Sequence, residues 1–174
     1  MALYLIELTP ATASKDEATA LIETVSNSLS EGAELIETQV SADHKLIFAI
    51  IESENTAFAP ALTAAIGERA SVVGPDEVRL VGAELDDIKK LKKDADYLVE
   101  WDIPAEITME QYLTRKKANA PKYAEVPEVS FLRTYVREDT AKCLCFYDAP
   151  DEDAVVRALE AVSTPIDRLF KLHA

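Results

Sequence analysis

The chain has 174 residues, 48% of them apolar, and a formal net charge of −14. That apolar share suits a globular protein and excludes a disordered one. The acidic balance argues against nucleic acid and against anionic membrane surfaces, both of which call for a basic footprint.

No stretch approaches about 18 consecutive apolar residues, so no membrane span is expected. The opening Met1-Ala-Leu-Tyr-Leu-Ile-Glu7 has no basic n-region and meets a carboxylate early, so no signal peptide is expected either. Cys143 and Cys145 are the only cysteines. Neighbours on one strand face lie about 6.5–7 Å apart, too far for a disulfide. A reduced, cytoplasmic chain is the expectation.

Leu3 to Thr9 is an apolar run broken by Glu7 and predicts a strand buried on both faces. Ser14 with Glu17 forms a capping box, and Ala18, Leu21, Ile22, Val25 and Leu29 make a helical stripe that Gly32 ends. Glu34 to Val40 alternates, with Ile36, Thr38 and Val40 on one face and Leu35, Glu37 and Gln39 on the other. A turn at Asp43-His44-Lys45 leads to Leu46–Ile51, apolar on both faces. A helix capped by Asn55 or Thr56 runs to Ile66, and Val78–Val81 is a short last strand. This βαββαβ order is the ferredoxin-like plan.

Glu84 to Asp94 is charge-dense, with Leu85, Ile88 and Leu91 at helical spacing, and predicts a short amphipathic linker. The order then returns. Tyr97-Leu-Val-Glu100 echoes Tyr4-Leu-Ile-Glu7, Thr134-Tyr-Val echoes Thr38-Gln-Val, and Lys142-Cys-Leu-Cys-Phe echoes Lys45-Leu-Ile-Phe-Ala. In this half Thr108 with Gln111 caps a helix ending near Ala118. Val129–Arg137 and Lys142–Tyr147 make a hairpin, Asp151 starts a helix, and Ile166–Leu172 is the last strand. The expected architecture is α+β: tandem ferredoxin-like repeats at 1–83 and 95–174, joined by the linker 84–94 and packed as a pseudo-dimer. The second half holds nine of the twelve aromatics and both cysteines, so it should supply most of any pocket wall.

Tyr97-Leu-Val-Glu-Trp-Asp-Ile-Pro, Phe131-Leu-Arg-Thr-Tyr-Val and Lys142 to Val155 together resemble a small bacterial family of unknown function typified by a nickel-binding ferredoxin-like protein. The resemblance covers residues 95–172. It implies a ferredoxin-like fold, a dimeric or pseudo-dimeric sandwich and a divalent metal, nickel. Relatives carry histidine where this chain has Arg133, and arginine cannot ligate a metal.

Alternation puts Glu7, Glu37, Glu100 and Arg133 on the sheet faces away from the helices. If those faces meet, Arg133 is expected to pair with Glu7, Glu37 or Glu100, since buried carboxylates need a cation. These four with Tyr135 are the candidate ligand-binding residues. His44, in a turn, and His173, near the end, are read as exposed, and neither has a ligand partner at metal-site spacing. Cys143 and Cys145 could offer two thiolates to a soft metal, but read first as small core residues. No phosphate loop, dinucleotide fingerprint or nucleophile elbow occurs.

Two functions follow. One is a non-enzymatic module, a monomeric pseudo-dimer or a homodimer, holding a small molecule or divalent metal. The alternative is an enzyme like the small dimeric α+β barrel monooxygenases, using Glu100 with Tyr135 or Tyr147 beside an apolar cavity.

Overall fold

The computed structural model describes residues 1–91 and 94–172. They form two compact units. The first comprises Met1–Val78 with Asp86–Leu91; the second comprises Arg79–Leu85 with the described part of 92–172.

The first unit contains β1 (Ala2–Pro10), α1 (Lys15–Ser28), β2 (Ala33–Val40), β3 (Ile47–Ser53), α2 (Ala59–Ile66), most of β4 (Ala70–Val81) and the short α3 (Leu85–Lys89). Its strands lie in the order β2-β3-β1-β4 and pair antiparallel, the ferredoxin-like order. The Glu17 amide donates to the Ser14 hydroxyl at 3.1 Å, so Ser14 caps α1, but the expected box is only half made, because the Glu17 carboxylate accepts from Arg69 at 3.2 Å. The stripe Ala18, Leu21 and Val25 is buried against Tyr4, Ile6 and Leu8 of β1 and Ile47, Ala49 and Ile51 of β3. Each leucine, isoleucine and valine among them contributes about 1.5–3 kcal/mol by leaving water. The opposite sheet face is buried as well, at Leu5, Phe48 and Ile50. Continuous apolar runs, rather than alternation, signalled this two-sided burial.

The second unit contains β5 (Tyr97–Asp102), α4 (Met109–Asn119), β6 (Ser130–Arg137), β7 (Lys142–Asp148), α5 (Glu152–Ala161) and β8 (Arg168–Lys171). Its order, β6-β7-β5-β8, repeats the first unit's arrangement. Thr108 and Gln111 exchange both bonds of a capping box on α4, and the Asp151 carboxylate accepts from the Ala154 amide at 2.8 Å to cap α5. Val99, Trp101, Cys143, Cys145 and Tyr147 form the sheet side of a core closed by Tyr112 of α4 and Val155 and Leu159 of α5.

The structure corrects several expectations. Leu35 packs into the helix-side core, because a bulge between Leu35 and Glu37 breaks the strict alternation of β2. β6 bulges at the corresponding place, between Phe131 and Arg133. The match of Lys142 to Lys45 is one residue out. Val40 faces Ile47 and Val136 faces Cys143, so Cys143 corresponds to Ile47 and Cys145 to Ala49. Shared lysines misled there; strand register, with its period of two, decides which face a residue takes. The strand expected at 78–81 begins at Ala70 and runs through Gly74-Pro75. α2 begins at Ala59, because Asn55 instead accepts from the Ala57 amide in the preceding turn. His44 is half-buried at φ 59°, and His173 lies outside the described residues.

Candidate functional site

The second unit has a cleft between its sheet and α4. Helical geometry brings Tyr112, Arg115, Lys116 and Asn119 to one face of α4, at spacings of three and four. All four line the cleft. Beneath them β7 presents Cys143, Cys145 and Tyr147, alternate residues on one strand face, and β5 presents Trp101. The cavity volume is about 20 Å³, room for one or two waters.

The aromatics form the cleft's wall. Tyr123 stacks on Phe131 at 5.5 Å between ring centroids, and its hydroxyl lies 2.7 Å from that of Tyr147. The Arg115 guanidinium sits 5.3 Å from the centre of the Trp101 ring and donates to the Ser163 carbonyl. The Lys116 ammonium lies 4.5 Å from the centre of the Phe131 ring. These cation–π contacts fix two cations over a cleft in a strongly acidic chain.

Two thiols occupy the floor, both free and both buried. The Thr134 hydroxyl of β6 donates to the Cys145 sulfur at 3.1 Å, and the Lys116 ammonium stands 4.0 Å from it. The neighbouring Cys143 thiol is the main influence lowering the Cys145 pKa to about 6. The Lys116 charge and the Thr134 and Tyr147 hydroxyls act in the same direction, against burial. Cys143 moves the other way: the neighbouring Cys145 and burial hold the thiol well above the ordinary range. The two thiols are thus pushed in opposite directions, Cys145 toward the thiolate and Cys143 away from it. Tyr112 lies beside Cys143, and burial pushes its phenol far up. Its hydroxyl is buried with no hydrogen bond of ordinary geometry.

The sequence-predicted residues lie elsewhere. Glu100, Arg133 and Tyr135 share the sheet face of the second unit opposite its helices, where Glu100 and Tyr135 both face Leu144 and Arg133 faces Phe146. All three are buried. Glu100 binds Arg168 and, at 3.6 Å, Lys142, while Arg168 also grips Asp102 at 2.6 Å. The Arg133 guanidinium lies 4.9 Å from the centre of the Phe146 ring. Glu7 and Glu37 are half-buried on the corresponding face of the first unit, and Gln39 donates to Glu37 at 3.0 Å. Tyr147, the other tyrosine considered with Glu100, is on the helix side, so that pair does not form.

Sequence reasoning missed Tyr112, Arg115, Lys116 and Thr134, and also Arg168 as a partner of Glu100. A signal for the first three was present. The α4 face that covers a sheet should be apolar, yet the residues at these spacings are a tyrosine, two cations and an asparagine.

Among the described residues, no three His, Cys, Asp or Glu side chains gather as a metal-binding group, and no helix is long and apolar enough to cross a membrane. No curated protein matches the sequence. Across 100% of this chain and 96% of the other, the fold is similar to that of the chlorite dismutase-like protein TA0507, with a TM-score of 0.61 at 13% identity. It is also similar to a monooxygenase-like protein of Fusobacterium nucleatum subsp. nucleatum, with a TM-score of 0.55 at 12% identity, over 98% of this chain and 90% of the other. These likenesses are of fold: α+β, ferredoxin-like, of the dimeric α+β barrel kind. SCO4226 from Streptomyces coelicolor A3(2) aligns with 45% of this chain and 95% of its own, at 18% identity and a TM-score of 0.39. Residues 97–172 match the SCO4226-like family, described as nickel-responsive, and the second unit thus resembles that family.

Proposed function

We propose that the protein binds a small ligand in the cleft under α4 of its second unit. One observation carries this reading. The α4 side chains lining the cleft include the polar Arg115, Lys116 and Asn119, and they stand over two thiols beside the buried, partnerless hydroxyl of Tyr112. A buried polar group without a partner costs about 1–3 kcal/mol, and a ligand able to accept or donate there would recover it. The cavity volume limits the ligand to a few heavy atoms, and Arg115 and Lys116 favour one that is anionic or readily polarised.

The test is protection. Native protein is alkylated with iodoacetamide in the presence of small anions and neutral diatomic or triatomic solutes, and cysteine labelling is read by mass spectrometry. A ligand that slows labelling of Cys145 in the wild type, and does so more weakly in Lys116→Met, supports the reading. Protection unchanged by cleft substitutions would overturn it.

A second reading is nickel binding, favoured by the printed description of the matched family. The cleft fits it poorly. Nickel(II) takes four or more nitrogen, oxygen or sulfur donors in square-planar or tetragonal geometry, and the cleft supplies two thiols with no group of three His, Cys, Asp or Glu side chains among the described residues. Nickel titration followed by elemental analysis should leave less than one equivalent bound. One tight equivalent lost in Cys143→Ser or Cys145→Ser would reverse that judgement.

A further inference from the structure

We infer that Cys145 is a peroxide-reactive thiol, oxidised by a hydroperoxide that enters the cleft of the second unit. The inference rests on the reading that this cleft is a ligand site, and it names the ligand class.

Several donors converge on one sulfur. Thr134 donates a hydroxyl at 3.1 Å, and Lys116 brings a full positive charge to 4.0 Å. A neutral thiol sulfur is a weak acceptor, so a buried donor set of this kind suits an anion. Cys143 lies two residues away on the same strand face and lines the same space. The cavity beside the sulfur admits a molecule the size of one or two waters, which is the size of hydrogen peroxide. Tyr112 is only 3% exposed, lines the same space, and leaves its hydroxyl unpartnered there. A peroxide oxygen is an acceptor that hydroxyl lacks.

The chemistry balances with the hydroperoxide as sole oxidant. The thiolate attacks one oxygen of H–O–O–H. An S–O bond forms and the O–O bond breaks. The bonding electrons leave on the second oxygen as hydroxide, which takes a proton from the Lys116 ammonium to become water. Sulfur is oxidised to the sulfenic acid, and the peroxide oxygens are reduced. Lys116 regains its proton from solvent, and the sulfenic acid returns to thiol only if an external thiol reduces it.

In the test, the full chain is mixed with hydrogen peroxide in slight excess and quenched with a cyclic 1,3-dione that traps sulfenic acids. Peptides are then read by mass spectrometry, with glutathione in a parallel tube as the reference thiol. The expected result is a trapped adduct at Cys145, with Cys143 unmodified, forming at least about tenfold faster than glutathione oxidises at pH 7, because the thiolate is the reacting species. The rate should rise with pH through about 6 and then level off. In Lys116→Met the inflection should move to higher pH and the pH 7 rate should fall about tenfold. Lys116 is half-buried, so this variant should stay folded. No adduct at Cys145 while glutathione is consumed would overturn the inference, as would a Lys116→Met profile identical to wild type. Either failure leaves the protection result above intact, so the two readings fall separately.

Discussion

At the scale of single residues, the cysteines illustrate what sequence conveys and what it hides. Their burial was legible: small apolar side chains in a central strand usually face the core. Their difference was not. The direction in which Cys145 is pushed depends first on Cys143 and then on Lys116, Thr134 and Tyr147, residues brought in from one helix and two strands. That difference makes a stability prediction. In the folded state the Cys145 pKa is lowered from an ordinary value of 9.0 to about 6. Its contribution is full above about pH 9, shrinks as pH falls, and is gone below about pH 6. Urea midpoints of the wild type should therefore rise between pH 6 and 8.5 by more than those of Cys145→Ala; equal slopes would refute the lowered pKa. Glu100 yields a second prediction. It is 3% exposed and holds Arg168 and Lys142, so Glu100→Gln leaves both cations with a weaker partner. Arg168 is partly solvated and keeps Asp102, which softens the loss to about 1.5–3 kcal/mol in chemical denaturation.

At the scale of elements, capping was the most readable signal and strand irregularity the least. Ser14, Thr108 and Asp151 all cap the helices that follow them, because a side-chain oxygen at that position satisfies an amide the helix cannot. The bulges in β2 and β6 carry no comparable residue signature, so Leu35 was assigned to the wrong face. α4 roofs the cleft. Thr108→Ala removes half of its capping box and should cost about 1 kcal/mol. Its Cys145 should also alkylate faster than in the wild type, as the roof frays from its N-terminal end; unchanged labelling would show that the roof does not depend on this cap. Gly82 supports the same wall from another side. Its φ is +86°, and an added Cβ would lie 2.6 Å from Phe131, whose ring stacks on Tyr123. Gly82→Ala should destabilise by more than about 1 kcal/mol and disturb the near-ultraviolet dichroism of the tyrosines.

At the scale of the whole molecule, fold class was accessible because two independent patterns agreed: apolar runs long enough for strands buried on both faces, and a βαββαβ order that occurs in each unit. The cleft under α4 was less accessible, because the charged residues on the sheet faces away from the helices carry the stronger sequence signal. Those residues still make a strong claim on stability. Arg133 is 3% exposed, and besides its stacking on Phe146 a buried guanidinium needs carboxylate oxygens to offset the loss of water. The sequence nominates Glu7, Glu37 and Glu100 for that role, and Glu100 already binds Arg168 and Lys142. Arg133→Met keeps most of the apolar stem and removes the charge. If a buried pair is broken, the uncompensated carboxylate should cost about 3–5 kcal/mol. Arg133→Lys retains the charge but loses the planar fork, so it should fall between the wild type and Arg133→Met. A Met variant as stable as the wild type would show that apolar packing on Phe146, and no ion pair, holds this face together. The Cys145 oxidation rate, set on the other side of the sheet, should be unchanged in either folded variant.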